Sequence, residues 1–157
     1  MPADRIEREI EIEAPIDVVW AVLTEPGHIA SWFTDEAQLD ARPGGDGRLV
    51  FRSRATGTPT AVDLRVEEVD PPQFFSFRWA HAEGAEPDET NSLLVQFTLR
   101  AAGDATRLRL VETGFDRLER PEAERERQSA EHQSGWDVHL AALREYAAAE
   151  RRSAAAR

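Results

Sequence analysis

The chain has 157 residues, no cysteine, a net charge of −11, and 19 basic residues that are all arginine. This composition excludes disulfides, thiolate and Schiff-base chemistry and phosphate-loop lysines, and it disfavours nucleic acid and anionic membranes as partners. The length fits a single domain over residues 1–157, and without a signal-peptide pattern or a long apolar run we expect a soluble, cytoplasmic protein. Abundant arginine and alanine without lysine indicate a GC-rich bacterial genome. The four scattered histidines predict neither a metal site nor a cofactor.

The N-terminal third predicts one strand, two short helices and a weak second strand. In the first strand, isoleucine and arginine alternate with glutamate, which is typical of a strand buried on one face. Pro15 opens the first helix, and Trp32 and Phe33 end the second helical segment. These predicted elements cover residues 6–12, 16–23, 28–33 and 36–41.

From residue 49 to residue 112 the apolar pattern has a period of two. Glycine, proline and aspartate interrupt this pattern at short intervals, as expected for strands joined by tight turns. Such a meander needs no crossover connection, so we predict a curved antiparallel sheet in an α+β fold. The predicted strands lie near residues 49–54, 62–67, 75–79, 93–99 and 108–112.

A long helix over residues 121–149 completes the predicted fold. The segment is rich in strong helix formers, and its apolar residues share one narrow stripe. That stripe consists of Trp136, Leu140, Leu143 and Ala147. Gly135 suggests a bend or a close approach by another element. The tail after about residue 149 should fray.

This order of elements, with these residues, resembles the helix-grip fold of the START-like (SRPBCC) superfamily. Three stretches carry the likeness, at residues 10–33, at Glu112–Asp116 and at Gly135–Leu143. They are most similar to the branch named for the activator of the heat-shock-protein-90 ATPase. The resemblance implies a curved antiparallel sheet of about six or seven strands wrapped around the long C-terminal helix. It also implies an internal cavity that the two short helices cover at one end.

Nine large aromatic rings lie on the inward rows of the predicted strands, on the last helix and on the connections. They are Trp32, Phe33, Phe51, Phe75, Phe77, Trp79, Phe97, Phe115 and Trp136. A solid core is one explanation, but so many rings on one side of a small sheet favour an apolar ligand pocket of about 300 Å³ or more. We expect at least four of Phe51, Phe77, Trp79, Phe97, Trp136 and Phe115 in its wall. Trp32 and Phe33 are expected at its mouth.

The polar pocket candidates are Glu112, His132 and His139. Strand alternation turns Glu112 inward, where it serves either as a ligand acceptor or general base, or as the partner of Arg125 or His132. We expect the paired arrangement. The two histidines lie on one side of the helix, about 10 Å apart and too far to share a metal ion. Glu112 and His139 are the weak catalytic candidates, because no nucleophile or triad motif is present.

The sequence therefore predicts a small-molecule-binding protein rather than an enzyme. Its ligand would be hydrophobic, of an aromatic, lipid-like or polyketide-like kind, in an aromatic-lined pocket. One alternative is a cyclase- or aromatase-type enzyme that uses the same cavity. The other is a co-chaperone-like module that binds a protein partner, and a homodimer is also considered. An exposed apolar patch would favour the co-chaperone-like module.

Overall fold

The computed structural model describes residues 5–82 and 84–155. Its helices and strands occur in the predicted order, with a single 3₁₀ turn at Phe115–Arg117 before the last helix. The strands are β1 (Arg5–Ile12), β2 (Glu36–Leu39), β3 (Asp46–Arg52), β4 (Pro59–Asp70), β5 (Phe74–Trp79), β6 (Leu93–Ala102) and β7 (Ala105–Thr113). The helices are α1 (Ile16–Thr24), α2 (Pro26–Trp32) and α3 (Glu122–Ala155).

The strands form one seven-stranded sheet in the order β1-β7-β6-β5-β4-β3-β2. Every neighbouring pair is antiparallel. An irregularity in the pairing of β4 with β5, between Val66 and Glu68, adds to the bending of the sheet. With two short helices after the first strand and one long helix at the end, the predicted α+β helix-grip fold is confirmed.

Alternation gives the β1–β7 ribbon one mainly apolar and one charged face. The inward side chains of Ile6, Leu108 and Leu110 are buried in the core. On the outward face, Arg109 pairs with Glu7 at 3.0 Å and Arg107 with Glu9 at 3.3 Å. Exposed pairs of this kind stabilise a fold by only about 0–1 kcal/mol. A one-residue slip would bury the charges, so the alternation fixes the register.

Helix α3 has 34 residues, which corresponds to a length of about 51 Å. Its predicted apolar stripe is the buried face, from Trp136 through Leu140 and Leu143 to Ala147. The helix continues through Gly135 and no other element approaches it there, because a Cβ atom at this position would meet only His139 Cδ2, at 3.9 Å. The expected close approach at Gly135 is therefore wrong.

The helix also continues past residue 149, to Ala155. Fraying of these last turns stays a prediction, and residues 156 and 157 lie outside the described part. The single domain over residues 1–157 likewise stays a prediction, since residues 1–4 and 83 are not described either.

Candidate functional site

A cavity of about 260 Å³ lies between α3 and strands β3 to β5. Helix α3 packs against β1, α1, α2 and the turn at Phe115–Arg117, so it leaves a gap over the β3–β5 side of the sheet. The residues that line this cavity are Phe33, Phe51, Val62, Trp79, Ala80, Glu131, His132, Gly135, Trp136 and His139. The volume is slightly below the range of about 300–1,000 Å³ typical of ligand sites.

The structure places about half of the predicted pocket residues at this cavity. Of the six rings expected in the wall, only Phe51, Trp79 and Trp136 line it, and the expectation of four or more is not met. The remaining predicted rings, Trp32, Phe75, Phe77, Phe97 and Phe115, are buried in the core. All of these except Phe115 border a separate void of about 20 Å³, too small for a ligand. These rings are therefore core residues and not cavity residues.

Trp32 is not a mouth residue. Its indole Nε1–H donates to the carbonyl oxygen of Val22 at 2.9 Å, and its ring stacks on Phe33 with centroids 4.9 Å apart. Trp32 therefore anchors α2 to α1, while Phe33 extends into the cavity wall. There Phe33 stacks against Trp136 at 5.6 Å and meets Phe51 edge-on at 5.5 Å.

Glu112 on β7 lies behind the cavity wall and is fully buried. Trp79 Nε1–H donates to its Oε2 at 2.7 Å, and Trp136 Nε1–H donates to its Oε1 at 2.9 Å. His132 Nδ1 lies 2.9 Å from Oε1 and 3.0 Å from Oε2. These contacts turn the polar edges of both indoles toward Glu112, so the rings offer the cavity only carbon surface.

The partner of Glu112 is His132 rather than Arg125. The Nη1 atom of Arg125 donates to the carbonyl oxygen of Asp116 at 2.9 Å, and its buried Nε has no hydrogen-bond partner. Glu112 does not line the cavity, so the cavity surface here is formed by the imidazole and the two indoles that it holds, not by the carboxylate. The predicted alternative of direct ligand contact by Glu112 has no geometric support.

His132 and His139 are the two histidines of the cavity. His132 also borders a polar hollow of about 290 Å³, together with Arg120, Glu124, Arg127, Gln128 and Glu131. His139 contacts Phe33 edge-on, with ring centroids 4.8 Å apart. Burial lowers the pKa of His139 below its usual 6.5, so its ring is neutral at pH 7.

Four lining residues were not among the sequence-predicted pocket residues. They are Val62, Ala80, Glu131 and Gly135. Val62 lies on a predicted inward row, so the alternation already contained the signal for it. Gly135 leaves space for the cavity because it has no side chain. From the sequence, a glycine at this position indicates only a locally less stable helix.

Neither a metal site nor a membrane span is found in the described residues. In residues 5–82 and 84–155 no three histidine or acidic side chains are grouped so that they could hold a metal ion. Within the same ranges, no helix has both the length and the apolar character needed to cross a bilayer.

Solved structures of other proteins share this fold. NE0264 from Nitrosomonas europaea superposes with a TM-score of 0.78 at 19% identity, over 97% of this chain and 99% of that chain. DynU16, from the dynemicin biosynthetic locus, is similar at 26% identity with a TM-score of 0.69, over 92% of this chain and 47% of that one. The Aha1 dimer from Colwellia psychrerythraea superposes with a TM-score of 0.67 at 19% identity, over 90% of this chain and 93% of that chain.

No curated protein sequence matches the chain significantly. A family model does match, over residues 13–148, and it describes the Activator of Hsp90 ATPase homolog 1-like protein. The match runs from the end of β1 to the buried stripe of α3, so it includes every residue that lines the cavity. The chain therefore belongs to the family of Activator of Hsp90 ATPase homolog 1-like proteins, as the resemblance predicted.

Proposed function

We propose that the protein binds one small, largely apolar aromatic molecule in the cavity beneath α3. The observation that carries the proposal is the wall itself, in which Phe33, Phe51, Trp79 and Trp136 line a cavity of about 260 Å³. Aromatic surfaces with few polar groups are typical of small-molecule sites. The similarity to DynU16, a protein of a biosynthetic locus, supports a biosynthetic metabolite as the ligand.

The cavity volume limits the size of this ligand. An engineered apolar cavity of about 150 Å³ holds one benzene molecule. A volume of about 260 Å³ therefore suits a ligand of about two rings. Each ring stacked against Phe33 or Trp136 would gain about 0.5–1.5 kcal/mol beyond the burial of its area.

Filling the cavity tests the proposal. Gly135→Leu places a side chain in it, because Gly135 lines the cavity and the nearest atom to a new Cβ is 3.9 Å away. Leucine is also a good helix former, so α3 should remain intact. The matched control is Ser134→Leu, which adds the same side chain at the neighbouring, exposed position of α3.

Calorimetric titration with naphthalene is the measurement. We expect saturable binding to the wild-type protein and to Ser134→Leu, and none to Gly135→Leu. Equal binding to all three proteins would place the naphthalene outside the cavity and contradict the proposal.

The structure gives less support to the alternatives. In the described residues, Val138 is the only large hydrophobic side chain that is exposed, at 67%, so no apolar patch favours a protein-interaction module. For a cyclase-type enzyme, the catalytic candidate Glu112 is already bound by three donors and lies behind the wall. The other candidate, His139, lines the cavity but has no hydrogen-bond partner among the described residues that would orient it as a base. Neither alternative therefore replaces ligand binding as the proposed function.

A further inference from the structure

We propose that the ligand carries an acidic hydroxyl group, as a phenol or an enol does, and that Nε2 of His132 binds this hydroxyl. The inference rests on the proposed function, since it assigns the polar contact within the same cavity. Glu112 is a positioning residue, since its contact with Nδ1 orients the imidazole of His132.

The tautomer of His132 follows from its partners. An indole N–H only donates, so both carboxylate oxygens of Glu112 act as acceptors toward Trp79 and Trp136. Nδ1 of His132, at 2.9 and 3.0 Å from these oxygens, is therefore the protonated nitrogen and donates to them. Whenever the imidazole is neutral, its lone pair is therefore on Nε2, in a ring whose orientation Glu112 fixes.

Nε2 of His132 is available to a ligand. It makes no hydrogen bond to any residue in the described part of the chain, and the side chain is 20% exposed. The ring borders both the cavity and the polar hollow beside it. Edge contacts with Trp79 and Phe115, both with ring centroids at 5.7 Å, hold the ring at that boundary.

The surrounding charges favour a neutral hydroxyl over a carboxylate. The carboxylate of Glu112 lies directly behind the ring, and Glu131 lines the cavity beside it. In the hollow, Arg120 and Arg127 are matched in number by Glu124 and Glu131, so no net positive charge attracts an anion. A neutral phenol enters an apolar site at a smaller desolvation cost, and its proton can be shared with Nε2.

The same site is poorly suited to an ammonium group. The oxygens of Glu112 already accept hydrogen bonds from three donors, and Glu131 is exposed to water. A buried cation could therefore pair only with Glu131, whose attraction is screened by water and offsets little of the desolvation cost. An aromatic hydroxyl fits both the volume of the cavity and the acceptor that Nε2 of His132 provides.

Three ligands and two variants test this inference by calorimetric titration. For the wild-type protein we expect 2-naphthol to bind about two- to tenfold more tightly than 2-methoxynaphthalene, the range for one net hydrogen bond. It should also bind more tightly than 2-naphthylmethylamine. His132→Asn keeps an amide N–H for Glu112 but lacks Nε2, so the preference for naphthol should disappear. His139→Asn is the control. It should change the dissociation constants for 2-naphthol and 2-methoxynaphthalene by the same factor, so that the preference for naphthol remains.

A second readout needs no variant. The ¹⁵N resonance of His132 Nε2 in the wild-type protein should shift when 2-naphthol is added and stay in place with 2-methoxynaphthalene. The inference would be overturned if the wild-type protein bound 2-naphthol and 2-methoxynaphthalene equally well, or bound 2-naphthylmethylamine more tightly than 2-naphthol. It would also be overturned if the resonance did not move with 2-naphthol, or if His139→Asn rather than His132→Asn abolished the preference for naphthol. If none of the naphthalenes binds saturably, the proposed function itself fails.

Discussion

Replacing Glu112 with glutamine is expected to lower the free energy of unfolding by about 2–4 kcal/mol. The carboxylate accepts one indole N–H on each oxygen, from Trp79 at 2.7 Å and Trp136 at 2.9 Å. Glutamine has a single carbonyl oxygen, so whichever way the amide turns, its NH₂ group faces one indole donor. A buried donor without a partner costs about 1–3 kcal/mol. The remaining hydrogen bonds also weaken, since their acceptor is no longer charged. Relief from burying a carboxylate offsets part of this loss.

Urea denaturation followed by circular dichroism measures the change. Glu9→Gln is the matched control, because Glu9 is an exposed carboxylate of the same sheet that pairs with Arg107 at 3.3 Å, and it should hardly alter stability. The further change Trp136→Phe should cost less in the Glu112→Gln protein than in the wild type, since it removes a donor that has lost its acceptor. A loss below about 1 kcal/mol for Glu112→Gln would refute the assignment of this carboxylate as the shared acceptor.

Three further predictions concern α3 and pH. Trp136→Ala should lower the free energy of unfolding by about 3–5 kcal/mol, because the ring is only 2% exposed. A melting temperature within a degree or two of the parent protein would contradict this. Gly135→Ala should raise the free energy of unfolding by about 0.5–1 kcal/mol in the same denaturation assay, and a loss would show that the cavity lacks the space. Burial lowers the pKa of His139 and His81, so the unfolded chain binds more protons and stability should fall as pH drops below about 6.5. His139→Asn should flatten that dependence, and an unchanged slope would contradict it.

Strand alternation was enough to turn Glu112 inward, because it lies in register with Leu108 and Leu110, although Val111 beside it is buried as well. Its partners were harder to predict. Trp79, His132 and Trp136 are 33, 20 and 24 residues away from it, on β5 and α3. Their meeting depends on the sheet order and on the rotation of the helix about its axis. The sequence pattern therefore left both Arg125 and His132 open as the partner of Glu112, and it did not indicate that two indoles would share the same carboxylate.

The sequence could not separate cavity rings from core rings. Phe77 and Trp79 belong to the same inward row of β5, yet only Trp79 lines the cavity. The difference arises from the position of α3, whose backbone lies close to β1 and α1, whereas it meets β3 and β5 through the side chains around the cavity. That placement is a property of the whole fold, and no local pattern encodes it.

The shared carboxylate gives the cavity an optical reporter of its own. Trp79 and Trp136 line the cavity, whereas Trp20 and Trp32 do not. Indole emission responds to polarity and to hydrogen bonding, and Glu112 holds both cavity indoles in one fixed environment. A molecule that displaces water from these two rings should change the tryptophan emission of the protein, while the other pair supplies a constant background. Unlabelled compound collections could therefore be screened by intrinsic fluorescence, with the Gly135→Leu protein as the blank.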